Sequence, residues 1–331
     1  MNSPLRPMTA HNTLHGLLYQ ATSAEYIALC VQMYQLARHA LVERLRSGTF
    51  RRPALIFDLD ETLLDNSAYA AWQIGSGCNF DEQTSWKDWC NTSQSGAVPG
   101  GFEFVRFAAE SGATPIFITT RLNETRVGTA RNLMNWGALT DEEFRAEEQN
   151  GTEPEHAFKT RLFMKGMPDV HVDRPNGKQT FHLANKFMQR VFCERVLGFE
   201  IILSIGDNLS DYAEYYGQVF DPTGASAPHE FPTIESRRAS VWQDLPLFGR
   251  DFILIPNATY GGWLSAFEAN RFGASDELAS TANQVRDGLH EPQEPFTYDS
   301  TKTVTPIGPK FSTNNLRIWE GPSPRSGERK R

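Results

Sequence analysis

Two aspartates stand two positions apart in the segment Ile56-Phe-Asp-Leu-Asp-Glu-Thr62, directly after a short apolar run. Like charges so close repel, and each raises the pKa of the other unless a cation intervenes. The spacing makes chemical sense when one carboxylate, Asp58, binds a metal ion and attacks while the other, Asp60, handles protons. Attack by a carboxylate on phosphorus gives an acyl phosphate that water then hydrolyses. Two plainer readings compete. A calcium loop opening D-x-D fails, because Leu63 holds the sixth position, where the turn needs glycine, and Tyr69 the twelfth, where a bidentate glutamate belongs. An acidic helix N-cap without catalytic work remains open on the pair alone.

A second acidic group changes the balance. Ser204-Ile-Gly-Asp-Asn-Leu-Ser-Asp211 follows a strongly apolar run and carries Asp207 and Asp211. Asp207 can complete the coordination of Mg²⁺, which favours one or two carboxylates plus water and substrate phosphate. Asp211 can hold Asn208 or a metal-bound water in place. Thr119 or Thr120 offers a hydroxyl suited to a phosphate oxygen, and Lys186 a cation to offset the charge that three carboxylates and a phosphate accumulate. A lone lysine is usually a solvated charge and a lone threonine a turn residue. The set, in this order, points to metal-assisted phosphoryl transfer.

These residues need a scaffold that brings them to one edge. Ala54-Leu-Ile-Phe57, Pro115-Ile-Phe-Ile118, Glu200-Ile-Ile-Leu-Ser-Ile205 and Phe252-Ile-Leu-Ile255 read as buried parallel strands. Between them, residues 101–111, a stretch through Val127, Ala130, Leu133 and Met134, and roughly 182–197 read as helices stopped by Gly112, Gly137 and Gly198. Thr22-Ser-Ala-Glu25 reads as a capping box that opens a long helix to about Ser47, with Tyr26, Ile27, Cys30, Val31, Tyr34 and Leu41 on its apolar stripe. Residues 141–180 are polar and read as loops or an insertion. Strands alternating with helices imply an α/β fold, a doubly wound Rossmann-like parallel sheet, whose ligands sit beyond the carboxyl ends of the strands. Asp58, Thr119 and Asp207 all fall at that edge.

The composition fits a globular chain. The 331 residues are 40% hydrophobic and 22% charged, with a net charge of −8, which argues against a nucleic acid polymer as partner. The four cysteines form no CxxC pair, so neither a zinc site nor a disulfide framework is indicated. No run of 18 apolar residues predicts a membrane span. The first twenty residues lack an apolar h-region, so the chain as written is expected to carry no export signal.

The motifs also carry a resemblance. D-x-D-E-T, then Ile118-Thr-Thr-Arg121, a lysine, and G-D-N-L-x-D resemble the haloacid dehalogenase superfamily of phosphatases. Asp58-Leu-Asp-Glu-Thr-Leu-Leu-Asp-Asn-Ser67, Gln94-Ser-Gly-Ala-Val-Pro-Gly100 and Pro256-Asn-Ala-Thr-Tyr-Gly-Gly-Trp263 look like the class C bacterial acid phosphatases, lipoprotein enzymes with 5′-nucleotidase activity. The similarity runs from about residue 18 to 268. It implies Asp58 as nucleophile and Asp60 as general acid and base. Mg²⁺ would be held by the Asp58 carboxylate, the Asp60 main-chain carbonyl and Asp207, supported by Asp211. Thr119 and Lys186 would bind phosphate, and Trp86, Trp89 and Tyr260 would clamp a nucleoside base by stacking. Ordinary core packing is the competing reading for those three aromatics. This chain departs from the family in standing Lys186 four residues before Arg190 rather than three, and in having Thr120 where asparagine is usual.

The resemblance further implies a smaller, mainly helical cap domain beside the sheet. The expected division is an arm at 1–21, a phosphatase domain at 22–292 and a Pro- and Ser-rich tail at 293–331. Within the domain, the core is about 50–62, 100–140 and 180–260, the helical part 22–49, 63–99 and 261–292, and the insertion 141–180. The family is mostly exported or envelope-anchored and often a homodimer; for this chain cytoplasmic retention is equally open. A sugar phosphatase or phosphotransferase of the same superfamily, or a non-catalytic binding protein on the same fold, are the alternatives.

Overall fold

The apolar run at Ala54–Phe57 becomes the middle of a five-stranded parallel sheet. In the computed structural model, which describes residues 14–78, 80–174, 177–213 and 234–264, the chain opens with α1 (Leu14–Thr22) and α2 (Ala24–Ser47) before β1 (Pro53–Phe57). There follow β2 (Leu64–Asp65), α3 (Ser67–Ser76), α4 (Ser85–Thr92), β3 (Gly96–Ala97), α5 (Gly101–Glu110), β4 (Thr114–Leu122), α6 (Arg126–Asn135) and α7 (Asp141–Asn150). Then come β5 (Leu162–Lys165), β6 (Val170–Arg174), β7 (Gly177–Phe181), α8 (Lys186–Arg195), β8 (Glu200–Gly206), α9 (Ile234–Gln243) and β9 (Phe252–Leu254). The expected 293–331 tail and most of 261–292 lie outside the described residues.

The sheet runs β5-β4-β1-β8-β9, all parallel. Counted by their place in the chain, its strands stand in the order 3-2-1-4-5, the doubly wound arrangement. The winding reverses between β1 and β8, and the crevice beyond that reversal is where such sheets bind ligands. Register shows which layer covers which face. Phe57 and Phe117 are register partners and Phe57 meets Phe104 of α5, whereas the next pair, Ile118 and Phe163, faces the other way and Phe163 meets Phe192 of α8. Helices therefore cover both faces. Each fully buried Leu or Phe in this core contributes about 1.5–3 kcal/mol.

Four local expectations are corrected. The cap of α2 is Ser23 rather than Thr22: its hydroxyl accepts the Tyr26 N–H, because α1 continues through Thr22. Ile27 and Val31 face outward, while Ala37 and Ala40 join Tyr26, Cys30, Tyr34 and Leu41 in the core that α2 shares with the sheet. The 141–180 segment, expected as loops or an insertion, is not loops: it holds α7, the edge strand β5 and the antiparallel β6–β7 hairpin. A Thr140–Glu143 capping box starts α7, and Leu162-Phe-Met164 is fully buried in β5. Helix α8 begins at Lys186, capped by Asn185, not near 182.

A second, smaller core lies in the helical part, where Tyr69, Trp89 and Cys90 are buried with Trp72 and Trp86 packed against them. At its rim Lys165 pairs with Glu82 at 2.7 Å and Lys87 with Glu124. Among the described residues, no helix is long and apolar enough to cross a membrane.

Candidate active site

Strands β1 and β8 end side by side, so Asp58 and Asp207 emerge at the reversal point. Asp58 extends β1 by donating its N–H to Ile205 of β8. The chain then turns sharply: Leu63 and Leu64 both donate to the Leu59 carbonyl, and Glu61 sits in the left-handed region at φ 56°. Tyr34 of α2 pins this turn through a hydrogen bond from its hydroxyl to the Thr62 carbonyl.

The carboxylates divide into two groups. Asp58, Asp207 and Asp211 gather so that one oxygen of each lies within 4.8 Å of the others. Lys186, the first residue of α8, donates to Asp58 and, at 2.7 Å, to Asp211. Asp211 also receives the Asn208 N–H at 3.0 Å, while Asn208 caps the 3₁₀ turn Leu209–Asp211 in return. The other oxygen of Asp207 accepts from Asn257 at 2.7 Å. Gly206 makes this crowding possible, since a Cβ there would lie 2.3 Å from Asp211 Oδ2.

The electrostatics show what the cluster lacks. Burial pushes Asp58 up to about 7, opposed by Lys186 and aided by Asp211 and Asp60. Burial, with Asp211 and Asp58, pushes Asp207 well above the usual carboxylate range. For Lys186, burial acts downward but Asp211 and Asp58 outweigh it and hold the ammonium charged. Among the described residues, three clustered carboxylates against the Lys186 ammonium leave a deficit of two positive charges. An all-oxygen donor set with that deficit fits a divalent cation.

Asp60 belongs to the second group and turns away from the first. Its Oδ1 accepts from Arg121 Nη2 at 2.7 Å, Arg121 Nε at 2.9 Å and Asn66 Nδ2 at 2.9 Å. Glu61, buried beside it, accepts from the Asn66 N–H and from the Tyr260 hydroxyl. Gln20 of α1 donates to Asp65 at 2.9 Å and reaches Glu61 at 3.4 Å.

The remaining expected residues separate. Thr119 is buried inside β4, three residues before the strand ends at Leu122, its hydroxyl accepting the Arg121 N–H, while Thr120 is exposed. Tyr260 stands at the mouth, 43% exposed. Trp86 is half-buried, with the Arg121 guanidinium 5.5 Å from its ring centroid. Trp89 is corrected: at 1% exposure it has no open face for a base, and its indole N–H donates to Asn66. Residues 1–21, expected as an arm, include α1, whose Gln20 reaches this centre.

The site also contains groups that residue-by-residue reading assigned no role: Arg121, Asn66, Glu61 and Asn257. Each lies inside a quoted motif, but its partner is remote in the chain.

With this geometry in hand, comparison with known proteins is decisive. Residues 5–263 match the family model described as HAD superfamily, subfamily IIIB (Acid phosphatase). The chain belongs to this acid phosphatase family. Its fold is similar to the crystal structure of the class C acid phosphatase from Bacillus anthracis with tungstate bound, at 26% identity and a TM-score of 0.60, covering 88% of this chain and 99% of that one. A second structure of the class C acid phosphatase from Bacillus anthracis matches at 25% identity with the same TM-score and coverage. The protein is thus a phosphomonoesterase of the HAD superfamily, a class of phosphatases that generally works with a divalent metal, and a small phosphate ester as substrate is consistent with that family.

Proposed function

We propose that this acid phosphatase is Mg²⁺-dependent and hydrolyses nucleoside 5′-monophosphates through a phosphorylated Asp58. The observation that carries the reading is the joint placement of Asp58 and Asp207 at the reversal point, with Lys186 joining Asp58 to Asp211 beside them. The Asp58 and Asp207 carboxylates and the Asp60 carbonyl would hold Mg²⁺, with Asp211 and Asn208 supporting them. The cation would supply charge neutralisation for the bound phosphate and keep Asp58 ionised despite its burial.

The chain's own residues do the rest. Lys186 and Thr119 bind the phosphoryl oxygens, and Thr120 lies at the rim. An Asp58 oxygen attacks phosphorus as the ester P–O bond breaks, and Asp60 passes its proton to the departing oxygen. Asp60 then takes a proton from water as that water attacks phosphorus, releasing phosphate and restoring Asp58. Tyr260 at the mouth and Trp86 beside Arg121 offer aromatic faces for a base.

The test is direct. Protein given Mg²⁺ should hydrolyse p-nitrophenyl phosphate and adenosine 5′-monophosphate, and EDTA should abolish both activities. Acid-quenched samples should carry phosphate on protein that hydroxylamine releases, and Asp58→Asn should carry none. Full turnover by Asp58→Asn would refute the nucleophile; higher kcat/KM for sugar phosphates would refute the substrate.

A further inference from the structure

Asn66 joins the catalytic turn to the helical part, and its amide is fully engaged. Its Oδ1 accepts from Trp89 Nε1 at 2.8 Å, Ser95 Oγ at 2.8 Å and Arg121 Nη2 at 3.2 Å. An indole N–H and a guanidinium can only donate, so the orientation of the amide is forced: oxygen toward Trp89, nitrogen toward Asp60. The nitrogen then meets Asp60 Oδ1 at 2.9 Å. Arg121 fastens the same Oδ1 with two donors, and Asp60 Oδ2 is left with one longer contact, 3.2 Å from Arg121 Nε. Asn66, Trp89, Ser95 and Arg121 are all at least nine-tenths buried, so the network acts in a low dielectric, where each orientation is strongly enforced.

We propose that Trp89 and Ser95 are positioning residues for Asp60, acting through the amide of Asn66. Remove their donors and the Asn66 oxygen keeps only the longer 3.2 Å bond from Arg121, so the amide loosens and its hold on Asp60 Oδ1 weakens. Trp89 belongs to α4 and its own small core. The helical part thereby sets the aim of the group that delivers the proton, in addition to walling the pocket. The inference rests on the reading of Asp60 as general acid.

That step has a measurable signature. When the ester P–O bond breaks and the Asp58–phosphorus bond forms, the leaving oxygen of an alkyl phosphate needs the Asp60 proton. A p-nitrophenolate leaves with little help. Trp89→Phe keeps an aromatic ring in the core and removes the indole N–H donor along with the second ring. Its kcat/KM ratio for p-nitrophenyl phosphate over propyl phosphate should rise about tenfold or more above the unmodified enzyme, a fraction of the full range of general acid catalysis. Asp60→Asn, run alongside, gives the full effect. Equal loss on both substrates in Trp89→Phe, with a clear ratio shift in Asp60→Asn, overturns the proposal and leaves the acid assignment standing. No ratio shift in Asp60→Asn overturns both. A loss confined to adenosine 5′-monophosphate relative to propyl phosphate, with the leaving-group ratio unmoved, would make Trp89 a stacking residue and also overturn it. Should Trp89→Phe not fold, Ser95→Ala removes a donor from the same acceptor and decides by the same ratio.

Discussion

Lys186 Nζ hydrogen-bonds Asp58 Oδ1 across 128 positions of sequence, making the first residue of α8 a part of the centre built on β1. Its second bond, to Asp211, ties the β1 and β8 loops together. Lys186→Met removes the cation that bonds two of the three clustered carboxylates. Its kcat/KM should fall about a hundredfold or more, by the usual worth of a charge aimed at a transferring phosphoryl group. Steady-state kinetics at saturating Mg²⁺ measures this, and a loss under threefold would remove Lys186 from the phosphate site.

Gly206→Ala tests the crowding at the end of β8. The new Cβ would meet Asp211 Oδ2 at 2.3 Å, so Asp211 must shift and loosen its hold on Lys186 and the Asn208 N–H. Overpacking of this kind costs about 1–3 kcal/mol of stability. Activity should fall more than the melting temperature suggests, and kinetics beside a thermal melt will separate the two effects.

Tyr260 separates ring from hydroxyl. Tyr260→Ala should cut kcat/KM for nucleotides by roughly 5- to 150-fold, from about 1–3 kcal/mol of lost stacking, and spare propyl phosphate. Tyr260→Phe keeps the ring and loses only the bond to Glu61. It should retain most nucleotide preference. Equal losses on both substrates in Tyr260→Ala would remove the base from this position.

Away from the centre, Glu147 gives a pH prediction. Burial acts to raise its pKa, but His156, Arg126 and Thr160 together outweigh burial and hold it below the ordinary glutamate value of 4.5. A carboxylate depressed on folding stabilises the protein above its unfolded pKa, and that stability is lost as pH falls through the folded one. Glu147→Gln also strands the buried Arg126, a loss of about 3–5 kcal/mol. The variant should melt well below the unmodified protein at pH 7, and the gap should narrow as pH falls below the ordinary glutamate value of 4.5 and through the depressed folded one. Thermal melts across that range check the sign.

How legible this was from sequence depended on how local each signal is. Strands β1 and β8 are short apolar runs ending in aspartates, and Gly112, Gly137 and Gly198 stop helices at φ of 84°, 75° and 72°, a conformation that favours glycine. Such cues lie within a few residues of what they predict. Strand β5 shows only three consecutive apolar residues between polar flanks, too few to distinguish from a loop, and the polar composition of 141–180 hid the Thr140–Glu143 capping box that starts α7. Arg121 and Asn66 left still less trace. An arginine after a strand is ordinarily solvated; Arg121 is buried because Asp60, 61 positions earlier, is buried with it. Trp89 failed in the opposite direction, since aromatic type alone does not distinguish a pocket wall from a core.

The ion pairs at the rim of the helical part bear on how the enzyme responds to its medium. Lys165–Glu82 and Lys87–Glu124 are partly open to solvent, and such pairs contribute about 0–1 kcal/mol each. At physiological ionic strength, with a Debye length of about 8 Å, dissolved ions already compete for them. The buried Trp89–Asn66 contact is shielded from that competition. Added salt therefore loosens the rim while α4 stays seated, and the aim of Asp60 becomes a property of the interior, insulated from the ionic composition outside.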